Sequence, residues 1–366
     1  IELHVFTGKV EEGIDAKLKE KVVFHKVPMI KGNPFFEAIS FFISSYIVLR
    51  KTHFDCYHFH WPFLKAPGPT IYTVHGVHPI AIREIERRNG LIGKFRIPMR
   101  HLYPIPTLLE WMTFRLFKRA KYFVAVSPLV RDWLKEVYGV TKGTIEVIPN
   151  PVNVSEFSST TLTRDKIRQM LGVNAETILL GSVANRLNGK NIDLILRAMA
   201  EMKDLRLEFL LLGRLKEKKR AKLRKWTNKW NLNRRVHLRE ALDQEEMAQF
   251  YQAMDVFVFP SSYDSFGLAF IEALYFGIPC IVSRKVGALY CIPNDVINSL
   301  VFPMDELNVS SLVKTLEMAL RSRSSADYEA KVQKIKEFLA KMSWQSCRRY
   351  INLYYKVLAA YKEGKR

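Results

Sequence analysis

Short apolar, β-branched runs alternate with stretches of helical spacing along most of the chain. Twelve runs predict strands: IELHVFT, VVFHKV, FDCYHFH, TIYTVHG, YFVAVS, TIEVIPN, TILLGSVAN, LRLEFLLLG, RVHLRE, VFVFPS, CIVS and SLVFP. Three intervening segments, VRDWLKEVYG, IDLILRAMAEM and EEMAQFYQAM, have the apolar spacing of amphipathic helices. Regular strand–helix alternation predicts an α/β protein with parallel sheets that carry helices on both faces.

The alternation pauses once, over residues 150–166, where NPVNVSEFSSTTLTRDK is polar and rich in Ser and Thr. Such a segment is typical of an interdomain linker, and 366 residues favour two domains. We therefore expect two Rossmann-like, doubly wound domains over residues 1–153 and 154–340 that face a cleft. Residues 341–366 are expected to form a terminal helix that returns to the first domain. A ligand would bind beyond the carboxyl ends of the strands.

No run of about 20 apolar residues occurs, which is the length that a membrane-spanning helix needs. The longest candidate, PFFEAISFFISSYIVLR at residues 34–50, is short and interrupted by polar residues, so it predicts a buried amphipathic helix. The four cysteines are far apart and lack CxxC spacing. That pattern argues against a zinc site or a disulfide framework and favours a cytosolic compartment.

The net charge of +21 is typical of proteins that meet nucleic acid, an anionic membrane or a polyanionic substrate, with general solubility as the plainer explanation. Residues 214–235 carry eleven Lys and Arg against the single acid Glu217. Residues 83–121 carry ten, interleaved with aromatic and aliphatic side chains. Within that segment LLEWMTFRLFKR predicts either an interfacial helix or an ordinary core helix.

The segment SSYDSFGLAFIEALYFGIPCIVS, residues 261–283, predicts a loop, a helix and the next strand. Gly267 would stand at the helix N-terminus, where a missing side chain and outward N–H groups suit a phosphate. Glu272, one turn further on, would accept hydrogen bonds from a diol such as ribose. Asp264 would face a sugar hydroxyl. The alternative, that both acids only stabilise a helix start, stays open.

Two further loops carry candidate ligands at the carboxyl ends of predicted strands. In GSVANRLNGKNIDLILRAM, Arg186 and Lys190 precede a helix, and together they would neutralise a diphosphate without a metal. A solvated basic loop is the alternative. In TIYTVHGVH, His75 would hydrogen-bond a substrate hydroxyl or polarise a leaving group, although a lone histidine more often has a structural role.

Taken together, TVHG, YFVAVSPLVRDWL, IEVIPNPVNVSEF, ANRLNGKNIDLIL, FLLLGR, RVHLRE, QFYQAMDVFVFPSSYDSFGLAFIEALYFGIPCIVS and SWQSCRRYINLYYKVL resemble the GT-B retaining glycosyltransferases of family 4. The likeness covers nearly the whole chain in the right order. It implies that a nucleotide-sugar donor binds the second domain and an acceptor binds the first, with no cofactor and no metal required.

The resemblance also implies roles for single residues. Glu272 is expected to hold the ribose, and Asp264, where the family usually has Glu, to face the transferred sugar. The phosphates and the sugar are expected to contact the backbone of Phe266, Gly267 and Leu268, the side chains of Arg186 and Lys190, and His75.

Four features depart from the family pattern. The Arg186–Lys190 loop is one residue short, Pro151 replaces a Gly, and VGALYC at 286–291 replaces a GG-x-x-E loop. In addition, the first domain begins at what the family pattern makes its second strand, without the initial strand, Gly-rich loop and helix.

The leading hypothesis is a retaining glycosyltransferase that moves a sugar from a nucleotide-sugar donor to a lipid-linked or envelope glycan acceptor. Because residues 83–121 fall in the acceptor domain, we expect peripheral attachment to the anionic, cytoplasmic face of a membrane. The alternatives are a soluble glycosyltransferase or nucleotide-sugar epimerase of the same fold and, more distantly, a nucleic-acid-binding protein. No RNP, KH or zinc-finger signature supports the last of these, and no specific nucleic acid is expected as a partner.

Overall fold

A computed structural model describes residues 2–8, 20–30, 34–60, 66–84, 87, 108, 110–111, 114, 122–140, 145–153, 162–240, 244–297, 300–323 and 325–363. The twelve predicted strands are all present: β1 Leu3–Thr7, β2 Val22–Lys26, β3 Tyr57–Phe59, β4 Thr70–Val74, β5 Tyr122–Ala125, β6 Ile145–Val147, β7 Ile178–Val183, β8 Leu207–Leu212, β9 Val236–Arg239, β10 Val256–Phe259, β11 Cys280–Ser283 and β12 Val301–Met304.

The α-helices whose two ends lie among the described residues are α1 Pro34–Lys51, α2 Pro128–Tyr138, α3 Arg164–Leu171, α4 Ile192–Glu201, α5 Glu217–Lys229, α6 Gln244–Ala253, α7 Leu268–Tyr275, α8 Asn294–Ile297, α9 Val309–Ser322 and α10 Tyr328–Glu363. The three helices predicted from apolar spacing correspond to α2, α4 and α6, so those predictions are confirmed.

Spatial contacts divide the chain into two compact units. The first contains residues 1–124, 134–145 and 353–366, and the second contains residues 125–133 and 146–352. The boundaries predicted after residues 153 and 340 remain predictions. The linker segment at 150–166 lies partly outside the described residues.

The second unit is built on a six-stranded sheet with the order β9-β8-β7-β10-β11-β12, and its recorded strand pairs are all parallel. This is the 3-2-1-4-5-6 order of a doubly wound domain, in which the direction of winding reverses between the first and fourth strands. The reversal falls here between β7 and β10, where Leu180 lies opposite Val256. Ligands bind at such a point in other doubly wound proteins.

The first unit contributes a two-stranded parallel sheet, β1-β2, and strands of a four-stranded sheet with the order β3-β4-β5-β6. β3 and β4 run parallel, with His58 opposite Ile71. Together with the second unit, this architecture confirms the predicted α/β class with parallel sheets.

The amino ends of β7 and β10 are tied together by one carboxylate. Asp255 accepts hydrogen bonds from Arg164 at 2.7 Å, Arg168 at 3.1 Å and the Leu179 amide at 2.8 Å, and it also pairs with Arg323. Because a carboxylate has about four acceptor positions, these four donors fill it. The cluster therefore fixes α3 and α9 to the edge of the sheet opposite the candidate ligand loops.

Helix α1 confirms the helix predicted over residues 34–50, but the prediction that it is buried is wrong. Phe36, Ile43 and Ile47 are each about half exposed, whereas Ser45 and Leu49 are buried. At 100° per residue these two sets lie on opposite faces of the helix. Apolar residues therefore lie on both faces of the helix, and only one face packs on the described residues. None of the helices that the described residues form is long and apolar enough to cross a membrane.

Most of the basic, aromatic segment 83–121 lies outside the described residues. Among those described, Phe114 is buried and Trp111 is 37% exposed. Glu110 is also buried, where it accepts hydrogen bonds from the His78 amide and the Tyr138 hydroxyl. Burial raises the pKa of this carboxyl to about 7.

Candidate functional site

Two loops meet at the carboxyl ends of β7 and β10, the adjacent strands at which the winding reverses. The loop after β7 carries Arg186 and Lys190, and the loop after β10 carries Asp264 and Gly267. Chain order separates these loops by about 70 residues, yet the sheet topology places them side by side.

Lys190 and Asp264 form an ion pair that joins the two loops. The Lys190 ammonium also lies 4.1 Å from the centroid of the Phe259 ring, so it is held on two sides. Asp264 accepts a second hydrogen bond from the Phe266 amide at 3.2 Å. Two of its four acceptor positions are thus used by described residues, and the neighbouring Arg186 side chain is exposed.

Asn191 anchors the loop after β7 to the loop after β10. It has a left-handed backbone conformation with φ of 50°, and its amide donates to the Pro260 carbonyl at 2.6 Å and to the Ser262 hydroxyl at 2.9 Å. The Ser262 amide in turn donates to the Gly189 carbonyl at 3.1 Å. Sequence reasoning did not identify Asn191, because its partners are 69 and 71 residues away.

The second loop is fixed by a segment further along the chain. The Gly287 amide donates to the Asp264 carbonyl at 3.0 Å, and the Ala288 amide donates to the Phe266 carbonyl at 2.8 Å. The Ser127 hydroxyl donates to the Ser265 carbonyl at 2.7 Å. A Cβ at Gly287 would lie 2.0 Å from that same carbonyl oxygen, so only glycine fits. VGALYC, which departs from the family pattern, therefore supports the loop through backbone contacts.

Helix α7 begins as the sequence predicts, directly after Gly267. The φ of Gly267 is 95°, which favours glycine, and an added Cβ would also approach Val286 Cγ1 to 2.7 Å. The first intrahelical bond runs from the Phe270 amide to the Gly267 carbonyl, so the amides of Leu268 and Ala269 precede it. These are the N–H groups that an anion meets at a helix N-terminus.

Glu272 is held by a buried tyrosine that sequence reasoning missed. The hydroxyl of Tyr251, which is fully buried on α6, donates to Glu272 Oε2 at 2.7 Å. Burial raises the pKa of Glu272, and the hydrogen bond from Tyr251 partly opposes this by favouring the charged form. In the sequence, Tyr251 was only one apolar position of a predicted helix. Its hydroxyl fixes one of the two carboxylate oxygens of Glu272.

His75 follows β4 in the first unit, where it belongs to a row of three imidazoles. His75 Nε2 and His60 Nδ1 share a hydrogen bond of 2.9 Å, and their rings stack with centroids 5.2 Å apart. His58 hydrogen-bonds Thr73 at 2.7 Å and the Tyr354 hydroxyl at 2.6 Å. Desolvation, followed by the charge of neighbouring imidazoles, lowers the pKa of His58 to about 3 and that of His75 to about 4. All three rings are therefore neutral at pH 7.

The described residues contain no group of three or more His, Cys, Asp or Glu side chains placed to hold a metal ion. The polar groups described at the second-unit edge are cations, amides and carboxylates. That combination can bind an anion and a polyol side by side.

The fold matches solved structures that share little sequence with it. WaaG, a glycosyltransferase involved in lipopolysaccharide biosynthesis, matches with a TM-score of 0.72 at 16% identity, over 93% of this chain and 87% of WaaG. HepE from Anabaena, solved in complex with UDP-glucose, matches with a TM-score of 0.67 at 15% identity, over 95% of this chain and 91% of HepE. The fold is accordingly the GT-B class with two Rossmann-like domains.

Sequence profiles identify the family within that class. The profile described as "Glycosyl transferases group 1" matches residues 163–337, and "Glycosyltransferase Family 4" matches residues 1–156. The chain belongs to the group 1, family 4 glycosyltransferases, which confirms the family named in the sequence analysis. The D-inositol 3-phosphate glycosyltransferase of Paenarthrobacter aurescens (strain TC1) is 30% identical over 190 residues, 51% of this chain. The match spans 46% of that relative, so the chain covers about half the length of this curated protein.

Proposed function

We propose that this chain transfers a sugar from a nucleotide-sugar donor that binds where the loops after β7 and β10 meet. The observation that carries the proposal is the Lys190–Asp264 ion pair beside the N-terminus of α7. It places a cation, a carboxylate with unused acceptor positions and outward amides within one loop pair. HepE, which shares the fold, was solved with UDP-glucose bound.

The donor diphosphate would be neutralised by Arg186, Lys190 and the first amides of α7. Because the diphosphate carries more negative charge than Asp264, it would draw Lys190 away from that carboxylate. Asp264 would then accept hydrogen bonds from hydroxyls of the transferred sugar. Glu272, held by Tyr251, would accept hydrogen bonds from the ribose diol. Binding of the phosphates would thereby prepare the sugar subsite.

His75 would act at the transferred sugar as a neutral hydrogen-bonding group, consistent with its lowered pKa. By the family resemblance, transfer retains the configuration of the anomeric carbon. The acceptor hydroxyl attacks from the face of the leaving diphosphate, whose oxygen takes up the proton. That scheme requires no protein base.

The acceptor is proposed to be a lipid-linked or envelope glycan at the cytoplasmic face of an anionic membrane. The support is the net charge of +21 and the basic, aromatic composition of residues 83–121. A second candidate is a soluble enzyme that acts on a small phosphorylated acceptor. It is favoured by the name of the relative from Paenarthrobacter aurescens, a D-inositol 3-phosphate glycosyltransferase.

A donor screen tests the proposal directly. Calorimetry with UDP-, GDP- and ADP-sugars should show that one nucleotide series binds the wild-type chain, and that Glu272→Gln weakens this binding. The exposed Glu240→Gln variant is the control and should bind as the wild type does. If no nucleotide sugar binds, or if both variants behave alike, the donor site is wrong. NMR of the anomeric proton in the product then tests retention.

A further inference from the structure

Helix α5, in the second unit, presents a row of four lysines on one face. Lys218, Lys222, Lys225 and Lys229 follow one another at the spacing i, i+4, i+7 and i+11, and all four are exposed. Since an α-helix rises 1.5 Å per residue, the row is about 16 Å long. The strongly basic segment 214–235 therefore includes an ordered row of exposed positive charges.

Two acids at α5 pair with arginines of the helix. Glu217 pairs with Arg224, and Glu240 pairs with Arg220. Among the described residues, neither Lys218 nor Lys225 has an ion-pair partner. Like charges one helical turn apart destabilise a helix, so the row opposes folding rather than supporting it. A surface that keeps these lysines exposed in spite of that fits an anionic partner.

The row is fixed in place and adjoins the candidate donor loop. Lys222 Nζ donates to Asn188 Oδ1 at 2.7 Å and lies 4.7 Å from the centroid of the Trp226 ring. Lys219 Nζ donates to the Asn185 carbonyl at 2.5 Å. Asn185 and Asn188 flank Arg186, so α5 and the loop after β7 form one connected surface.

We propose that the lysine row of α5 is a docking surface for an anionic lipid bilayer. A straight row on an exposed helix face can lie along a flat surface, and it does not enclose a single ligand. Lysine supplies point charges that suit a field of many headgroups, whereas a discrete phosphate site favours the bidentate fork of arginine. This surface extends the membrane attachment in the proposed function to the donor-binding unit, and in that respect it rests on the proposed function.

Single-stranded nucleic acid is the competing partner, and the aromatic side chains argue against it. Such binding combines cations with open aromatic faces on which bases stack. Trp226 and Trp230, the two tryptophans of this region, are only partly exposed. The ammonium groups of Lys222 and Lys229 already lie over their rings. The region therefore offers charge without a free stacking platform.

The test is flotation with phosphatidylcholine vesicles that contain one-third phosphatidylglycerol, at low and at high salt. The row variant is Lys218→Gln/Lys225→Gln/Lys229→Gln, which spares Lys222 because it contacts the donor loop. The control is Lys341→Gln/Lys356→Gln/Lys362→Gln, which removes the same charge from exposed positions of α10. Thermal melts establish that both variants fold.

We expect the row variant to lower the low-salt partition coefficient about 100-fold, since each lysine near an anionic surface contributes about 1 kcal/mol. The control should lower it less than about tenfold, and high salt should abolish the difference. Equal losses in the two variants, or no vesicle binding by the wild type, would overturn the proposal. So would a row variant that loses affinity for a single-stranded oligonucleotide but keeps its vesicle binding.

Calorimetry with the nucleotide sugar separates this proposal from the proposed function. The row variant should bind the donor as the wild type does, because none of its three lysines contacts the donor loop. Donor binding without vesicle binding would overturn the docking surface alone. Vesicle binding without donor binding would overturn the donor site alone.

Discussion

The two ends of the second-unit sheet each hold an aspartate among cations, but they use it differently. At the amino end, Asp255 accepts four hydrogen bonds and pairs with Arg168, whose side chain is only 5% exposed. At the carboxyl end, Asp264 accepts two, and its partner Lys190 is 21% exposed. A filled acceptor can only hold the structure together, whereas a half-filled acceptor can exchange partners with a ligand.

The largest effect is expected from breaking the filled end. Asp255→Ala should lower the free energy of unfolding by about 3–5 kcal/mol, because it leaves the buried Arg168 without its counter-charge. Urea unfolding measures this loss. The control is Asp305→Ala, which removes an exposed pair with Arg284 and should change stability by less than about 1 kcal/mol. Similar losses in both variants would show that the amino-end cluster is not structural.

At the carboxyl end of the sheet we expect the reverse, a large loss of activity with a small loss of stability. Asp264→Asn should lower turnover about 10- to 100-fold, the value of a hydrogen bond to a charged group, and change stability by less than about 1 kcal/mol. Stability changes little because the released Lys190 can reach water. Steady-state kinetics and urea unfolding on the same preparation test this. A stability loss as large as that of Asp255→Ala would remove the contrast between the two ends.

The histidine row of the first unit extends the comparison to a cluster in which imidazoles contact one another. His58 has a pKa of about 3 in the folded chain, against 6.5 for a free imidazole. Its neutral form is therefore favoured by folding, and this stability is complete above about pH 6.5 and lost as pH falls toward about 3. At pH 5, His58 alone should reduce the free energy of unfolding by about 2 kcal/mol.

Urea unfolding at pH 7 and pH 5 measures that decrease, and His58→Gln should make it smaller. His60 and His75, which are more exposed, should contribute less in the same direction. A decrease of the same size in the variant would show that His58 does not carry the pH dependence.

The smallest effect is expected at Tyr251, which tunes Glu272 from within the core. Tyr251→Phe should weaken nucleotide binding about three- to tenfold, the value of one hydrogen bond. It should also raise the pKa of Glu272 further, because the hydroxyl favours the charged form. In the proposed donor site affinity depends on the Glu272 carboxylate, so the affinity of the variant should begin to fall at a higher pH than that of the wild type as pH is lowered. Calorimetry over a pH series tests both effects, with the exposed Tyr355→Phe as control.

Much of the fold could be predicted from the sequence, because strands and amphipathic helices leave a periodic pattern within one segment. Gly267 precedes α7 as predicted, and Gly277 follows the end of the helix; glycine is favoured at the positive φ angles of both. The position of Glu272 in that helix was equally readable. Features that depend only on nearby residues in the chain could therefore be predicted from local sequence patterns.

The support of the site could not be predicted in the same way. Tyr251 lies 21 residues from Glu272, and Asn191 lies 69 residues from Pro260, so no local pattern marks either pair. The exposed face of α1 was missed for a related reason. Apolar residues on opposite faces of a helix indicate that some face is buried, but only the neighbours of the helix determine which face.

Gly287 has a consequence for any attempt to redesign donor choice. Its missing side chain lets the backbone of one segment close onto the Asp264–Phe266 turn, while Ser127 holds the same turn from another part of the chain. A donor loop taken from a relative and inserted alone would meet a mismatched surface on two sides. To exchange this loop between proteins, three short segments would have to be replaced together, and they include residues that need not contact the donor.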